Sequence, residues 1–215
     1  MTVGIYVLAA GQSTRFGAPK LDAMCAARPL GAWIIAAIEA AGLAPGTIIV
    51  PPSTPRFALE AERSGWTLAI NAKAERGLST SLARAIGHAE DAAHEAAAIF
   101  LADMPLITAA HVRTIAAAGQ PDRPMATLYP GGALGVPARL PRALFAALTR
   151  GAADVGAAAL LAAQPTLRAI TGDADLQDVD SPEDLARAEA MLIERRSHRE
   201  RARTDSGLTA RAARG

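Results

Sequence analysis

Short, unbroken apolar runs alternate along this chain with longer segments whose apolar positions recur every three or four residues. Residues 3–9 are apolar but for one glycine, carry β-branched and aromatic side chains and stop just before Gly11, which predicts a buried first strand. The next segment, 29–42, reads PLGAWIIAAIEAAG and predicts a helix ended by Gly42. Strand and helix signals then alternate: strand at 46–52, helix at 55–65, strand at 66–72, helix at 78–95 with Leu82 and Ile86 on one face, and a fully apolar strand at 96–103. A helix at 107–119, a strand at 124–130, a glycine-rich turn at 131–137, two helices around Leu144 and Leu160, a strand at 166–170 and a final helix complete the pattern. Such alternation predicts an α/β fold, a mostly parallel sheet flanked by helices, with ligands in the crevice beyond the carboxyl ends of the strands.

Composition narrows the picture. The chain has 215 residues, 51% of them apolar, which suits one domain with a substantial core. Aromatic residues are few and alanine is abundant, so close helix–sheet contact replaces large side chains. The net charge of +1 is unevenly placed: residues 194–215 hold seven arginines against three acids, leaving the rest of the chain slightly acidic. That balance argues against a nucleic-acid binder. We expect a domain over 1–193 and a basic, disordered tail over 194–215, because the tail lacks a sustained apolar face. Cys25 is alone, so neither an internal disulfide nor a cysteine-based zinc site can form. The N-terminal run lacks a basic leader and no apolar stretch reaches the ~20 residues needed to span a bilayer, so a cytoplasmic protein with no membrane partner is expected.

The candidate chemistry begins at residues 8–20, LAAGQSTRFGAPK, which hold two glycines, two hydroxyls and two cations but no acid. Small residues expose backbone N–H groups that can converge on an anion. Arg15 adds a planar fork and Lys20 a point charge. The stretch reads either as a triphosphate cradle or as a tight strand-to-helix turn with two solvated cations. It is not a P-loop, since Lys20 lies between Pro19 and Leu21, and it lacks the third glycine of the dinucleotide fingerprint. Downstream, IFLADMPLIT places Asp103 at the end of the apolar strand, where an acid either meets a cation or caps a helix. LQDVDSPEDLARAEAML offers Asp180 just before a capping sequence with Ser181 at the cap, Pro182 at the first helical position and Asp184 at the third. Asp178 is the rival acid, or a solvated loop residue. His88, His94 and His111 fall in helical stretches and read as surface residues.

The stretch LAAGQSTRFGAPKLDAMCAARPL resembles the signature loop of the MobA-like NTP transferases, most closely the molybdenum cofactor cytidylyltransferase group. The resemblance implies the Rossmann-like, glycosyltransferase-A-like nucleotidyltransferase fold, and it extends nearly to Leu192. It implies that Leu8, Ala9, Ala10, Gly11, Arg15 and Lys20 bind the nucleotide. Arg15 and Lys20 would also act in catalysis with Asp103, while Asp103 and Asp180 hold Mg²⁺. NAKAERGLSTS resembles the family's base-binding segment, making Asn71, Gly77, Ser79 and Ser81 nucleotide ligands, with helix capping the alternative for Ser79. Ala10 favours CTP, since guanylyl members of the family carry glycine there. Three positions depart from the family pattern: Ala26-Ala27 replaces Gly-Gly, Val136 replaces His or Asn, and Ala158 replaces Arg. The last two fall on the acceptor side.

The implied reaction moves CMP from CTP to the phosphate of a molybdopterin-type acceptor and releases pyrophosphate, the product passing to a molybdenum hydroxylase. Alternatives are guanylyl or other NTP-dependent transfer to another phosphorylated acceptor, or a non-catalytic accessory protein for molybdenum enzymes. An oxidoreductase is disfavoured by the missing dinucleotide fingerprint.

Overall fold

The structure, a computed structural model, describes residues 2–11, 16, 19–151, 157–171 and 176–212. Nine strands and seven helices are assigned among them. Seven strands form one sheet in the order β5-β4-β1-β6-β8-β7-β9. These are β1 (Val3–Leu8), β4 (Thr47–Val50), β5 (Thr67–Ile70), β6 (Ala96–Leu101), β7 (Met125–Leu128), β8 (Leu134–Pro141) and β9 (Arg168–Thr171). Strand β8 runs antiparallel to both neighbours and the other pairings are parallel. The strands β2 (Met24–Cys25) and β3 (Arg28–Pro29) form a separate small hairpin.

Helices cover both faces, as the alternation predicts. The α1 (Ala32–Ala40), α2 (Arg56–Arg63), α4 (Ala109–Ala116) and α7 (Pro182–Ala212) helices pack on one face through Ile34, Ile38, Phe57, Val112, Ile115 and Leu192. On the other face lie α3 (Leu78–Asp91), α5 (Phe145–Gly151) and α6 (Ala157–Ala162), contributing Leu82, Ile86, Phe145, Leu148 and Leu161. Each central strand feeds both layers because its side chains alternate: Val7 enters one core, Tyr6 and Leu8 the other. Ala96, Ala97 and Ala98 are fully buried on β6, where small side chains let the helices approach the sheet.

The structure corrects the turn expected at 131–137. Only its beginning is a turn, with Gly131 and Gly132 at φ of 88° and 87°, and the chain then enters β8. The hairpin β2–β3 was not expected either; its turn residues Ala26 and Ala27 adopt φ of 47° and 70°. Glu189 of α7 accepts a 2.8 Å hydrogen bond from Ala26 N, holding that turn against the body. Buried beside it, the Cys25 thiol is pushed up to about 11, by burial first and then by Glu189.

Helix α7 continues through Ala212, across the point where the sequence predicts a disordered tail. Residues 194–212 contain no proline and hold six arginines and three alanines, so local propensity favours continuing the helix. Arg195 docks on the body through a 2.7 Å hydrogen bond from Nη1 to the Leu106 carbonyl. No described helix is long and apolar enough to cross a membrane.

Candidate active site

The first strand ends in a buried turn. Leu8, Ala9 and Ala10 are each under 5% exposed, and Ala9 N donates to Ile49 O at 2.8 Å. Ala10 is thus packed inside. Gly11 is exposed where the loop departs. Arg15 lies outside the described residues, as does Gly17. The chain returns at Pro19 into a short 3-10 helix, Lys20–Asp22, which is anchored to the start of α2. Asp22 accepts from the Arg56 and Phe57 amides at 2.9 and 3.0 Å, neutralising the start of α2, and Leu21 is buried.

That anchoring aims Lys20 inward. Its Nζ donates to Asp103 Oδ2 at 2.9 Å and to Asp180 Oδ1 at 3.2 Å. Burial alone would lower the lysine, yet the two carboxylates, Asp103 foremost, hold it above the ordinary lysine range. Burial pushes the Asp103 carboxyl up, and Lys20 draws it back only in part. The opposing tendencies reflect one desolvated pair, which we read as ionised because both of its members find a charge-assisted hydrogen bond.

Asp103 follows β6, which the Ala102 N to Leu8 O bond of 3.0 Å ties to the end of β1. Its own carbonyl accepts from Val179 N at 2.9 Å, and this bond brings the segment before α7 to the site. Val179 is buried while Asp178 and Asp180 on either side are not, so both acids turn to the crevice. Asp103, Asp178 and Asp180 each offer a carboxylate oxygen within 4.8 Å of the others. Asp178 therefore joins Asp180 at the site, where the sequence offers the two as alternatives; their i, i+2 spacing in a non-helical segment is the available signal. The expected capping box forms: Ser181 Oγ accepts from Asp184 N at 3.2 Å, and Asp184 Oδ2 accepts from Ser181 N at 3.0 Å. The Ser181 hydroxyl bond, with backbone donors, holds Asp184 below the usual carboxylate range.

The segment 71–81 follows β5 at the sheet edge where β1 and β4 also end, and its polar side chains serve mainly each other. Asn71 Nδ2 donates to Thr80 Oγ1 at 2.9 Å and to Ser81 Oγ at 3.0 Å, while its Oδ1 accepts from Lys73 N at 3.0 Å. Asn71 and Ser81 are buried and shape the loop from within. Gly77, at φ 96°, is the N-cap of α3, so Ser79 lies within the first turn and does not cap. The site thus unites Lys20 with the three acids, while Asn71, Gly77, Ser79 and Ser81 follow β5, two strands from β1 at the same sheet edge.

The histidines depart from the surface reading. His111 is buried and its Nε2 lies 2.9 Å from Thr127 Oγ1, which donates to Pro137 O at 2.7 Å. His94 is partly buried with Nδ1 2.9 Å from the Tyr6 hydroxyl. Of the two positions that the resemblance assigns to the acceptor side, Val136 is in β8 and Ala158 is exposed on α6.

The fold and this cluster of lysine and acids define a nucleotidyltransferase. The chain belongs to the family of the MobA-like NTP transferase domain, whose sequence profile matches residues 5–169. Among solved structures it is similar to Rv0371c from Mycobacterium tuberculosis H37Rv, at 24% identity over 88% of this chain and 98% of that one, with a TM-score of 0.68. A homologue of that protein from Mycobacterium sp. strain JC1 shares 27% identity over 89% of this chain and 97% of its own, with a TM-score of 0.70. Rv0371c in complex with manganese superposes with a TM-score of 0.66, at 22% identity over 88% and 99% of the two chains. No curated protein matches the sequence closely enough to count as a relative.

Proposed function

We propose that this protein transfers CMP from CTP to the phosphate of a molybdopterin-type acceptor and releases pyrophosphate. The observation that carries the reading is the convergence of Lys20, Asp103, Asp178 and Asp180 beside the loop that leaves β1. Three carboxylates form a hard oxygen donor set of the kind that suits Mg²⁺ or Mn²⁺. The Lys20 ammonium already lies against two of them, so the cluster accepts a cation. Manganese in the Rv0371c complex agrees with this donor chemistry.

An oxygen of the acceptor phosphate attacks the α-phosphorus of CTP, the bond from that phosphorus to the bridging oxygen breaks, and pyrophosphate departs with the electron pair. A phosphate monoester is already largely ionised near neutrality, so no side chain need remove a proton. Asp103, Asp178 and Asp180 would hold the divalent ion, which supplies charge neutralisation at the phosphate oxygens. Lys20 places a desolvated positive charge beside them and, with Arg15, favours the departing pyrophosphate. The first turn of α3, exposed at Leu78, would add backbone N–H groups and the positive end of a helix to the nucleotide wall. Base choice is assigned to the loop path that buried Ala10 sets, with CTP preferred over GTP. A molybdenum hydroxylase is the expected recipient of the product.

The test is pyrophosphate release from CTP and from GTP with molybdopterin and either metal. Release with CTP supports the proposal. Preference for GTP overturns the cytidylyl part, and nucleotide binding without release overturns transfer.

A further inference from the structure

Tyr129 stands at the far flank of the crevice and takes no part in the chemistry above. Because β8 is antiparallel to both β6 and β7, β7 runs with β6 and delivers Tyr129 to the same sheet edge as Asp103. Two strand spacings separate the ends of β6 and β7, about 10 Å laterally. The nucleotide wall lies on the opposite side, beyond β1. A substrate lying across the acids therefore meets the nucleotide loops with one end and Tyr129 with the other.

The ring is locked in place. Its hydroxyl donates to the Val136 carbonyl, its amide donates to Ala133 O at 2.8 Å, and its carbonyl accepts from Gly132 N at 3.1 Å. Gly135 lies under the ring; a Cβ there would sit 3.2 Å from the ring carbon Cε2. Beneath the hairpin, the bond from Thr127 to Pro137 and its contact with His111 fix the strand pairing beside the bulge. The phenol is pushed up to about 12, by burial and then by Asp178 and Asp103, which puts the ring within the field of the acids. With its proton committed to Val136, the half-buried Tyr129 ring, packed in part against the core, is a rigid aromatic group with no spare donor.

We infer that Tyr129 is the residue that selects the acceptor, its ring face receiving a planar ring system carried on the attacking phosphate. A flexible polyol phosphate would lose water there and gain no hydrogen bond from the tyrosine. This inference rests on the proposed transfer reaction for the order of substrates across the crevice.

The test uses the full chain with Mn²⁺ and a CTP analogue whose α,β-bridging oxygen is a methylene, so that no transfer occurs. Calorimetric titration compares phenyl phosphate with glycerol 3-phosphate. Wild type and Tyr129→Phe should bind phenyl phosphate about tenfold more tightly, in keeping with aromatic stacking. Tyr129→Ala should reduce that preference to within about twofold while the affinity for the CTP analogue is unchanged. If melting shows Tyr129→Ala unfolded, Tyr129→Leu, which fills the space without a planar face, is expected to lose the preference equally. Equal binding of the two phosphates by wild type, or a preference that survives in the Ala or Leu variant, overturns the inference. Failure of the CTP analogue to bind overturns the transfer reading instead, and the two phosphates are then compared on the Mn²⁺ protein alone.

Discussion

Replacing Lys20 by methionine keeps the length of the side chain and removes the charge that the acids face. The magnitude follows from the geometry. At 3–4 Å and an effective dielectric of about 20, an ion pair gains about 4 kcal/mol, much of it offset by desolvation. Asp180 has a side chain 46% exposed, so water screens its share to at most about 1 kcal/mol. Asp103 is only 19% exposed and loses its principal partner. Removing one member of a buried pair costs about 3–5 kcal/mol, and partial exposure places Lys20→Met near the lower end, about 3 kcal/mol. Urea denaturation at pH 7.5 with a chelator present measures this loss. Adding Asp103→Asn to Lys20→Met should recover part of it, so that the double variant is about 2 kcal/mol more stable than additivity predicts. Mn²⁺ should stabilise Lys20→Met more than wild type, because the ion no longer competes with the ammonium. A loss under about 1 kcal/mol, strict additivity in the double variant, or equal Mn²⁺ stabilisation would refute the reasoning.

The three acids are expected to act together. Asp103→Asn should reduce pyrophosphate release by on the order of 10²-fold, and Asp178→Asn and Asp180→Asn should each weaken Mn²⁺ binding by calorimetry. Ala27→Gly should raise stability by about 0.5–1 kcal/mol in urea, since φ of 70° strains alanine more than glycine. Burial lowers the His94 pKa, so its neutral form is the one the fold favours. The stability difference between wild type and His94→Gln should be full above the unfolded pKa of about 6.5 and shrink as pH falls through the folded value, followed by denaturation between about pH 8 and pH 5. Ala10→Gly should raise GTP use relative to CTP by roughly tenfold in kcat/KM, equivalent to about 1.4 kcal/mol.

Local physics made much of this protein legible. Parallel strands buried on both faces must be apolar throughout, so β1, β4 and β6 announce themselves, as do the helices between them. The Ser181–Asp184 cap is built within four residues and is visible for that reason. Asp103 is legible as an acid at the end of an apolar strand. Strand β8 was hidden because its glycine and two prolines imitate a turn, and its place between β6 and β7 depends on partners distant in sequence. Tertiary structure alone decided that Asn71 spends its amide inside its own loop and that His111 is buried against Thr127. It also decided that Asp178 shares the site with Asp180, because one backbone bond, from Val179 to Asp103, sets two segments side by side that the sequence holds more than 70 residues apart.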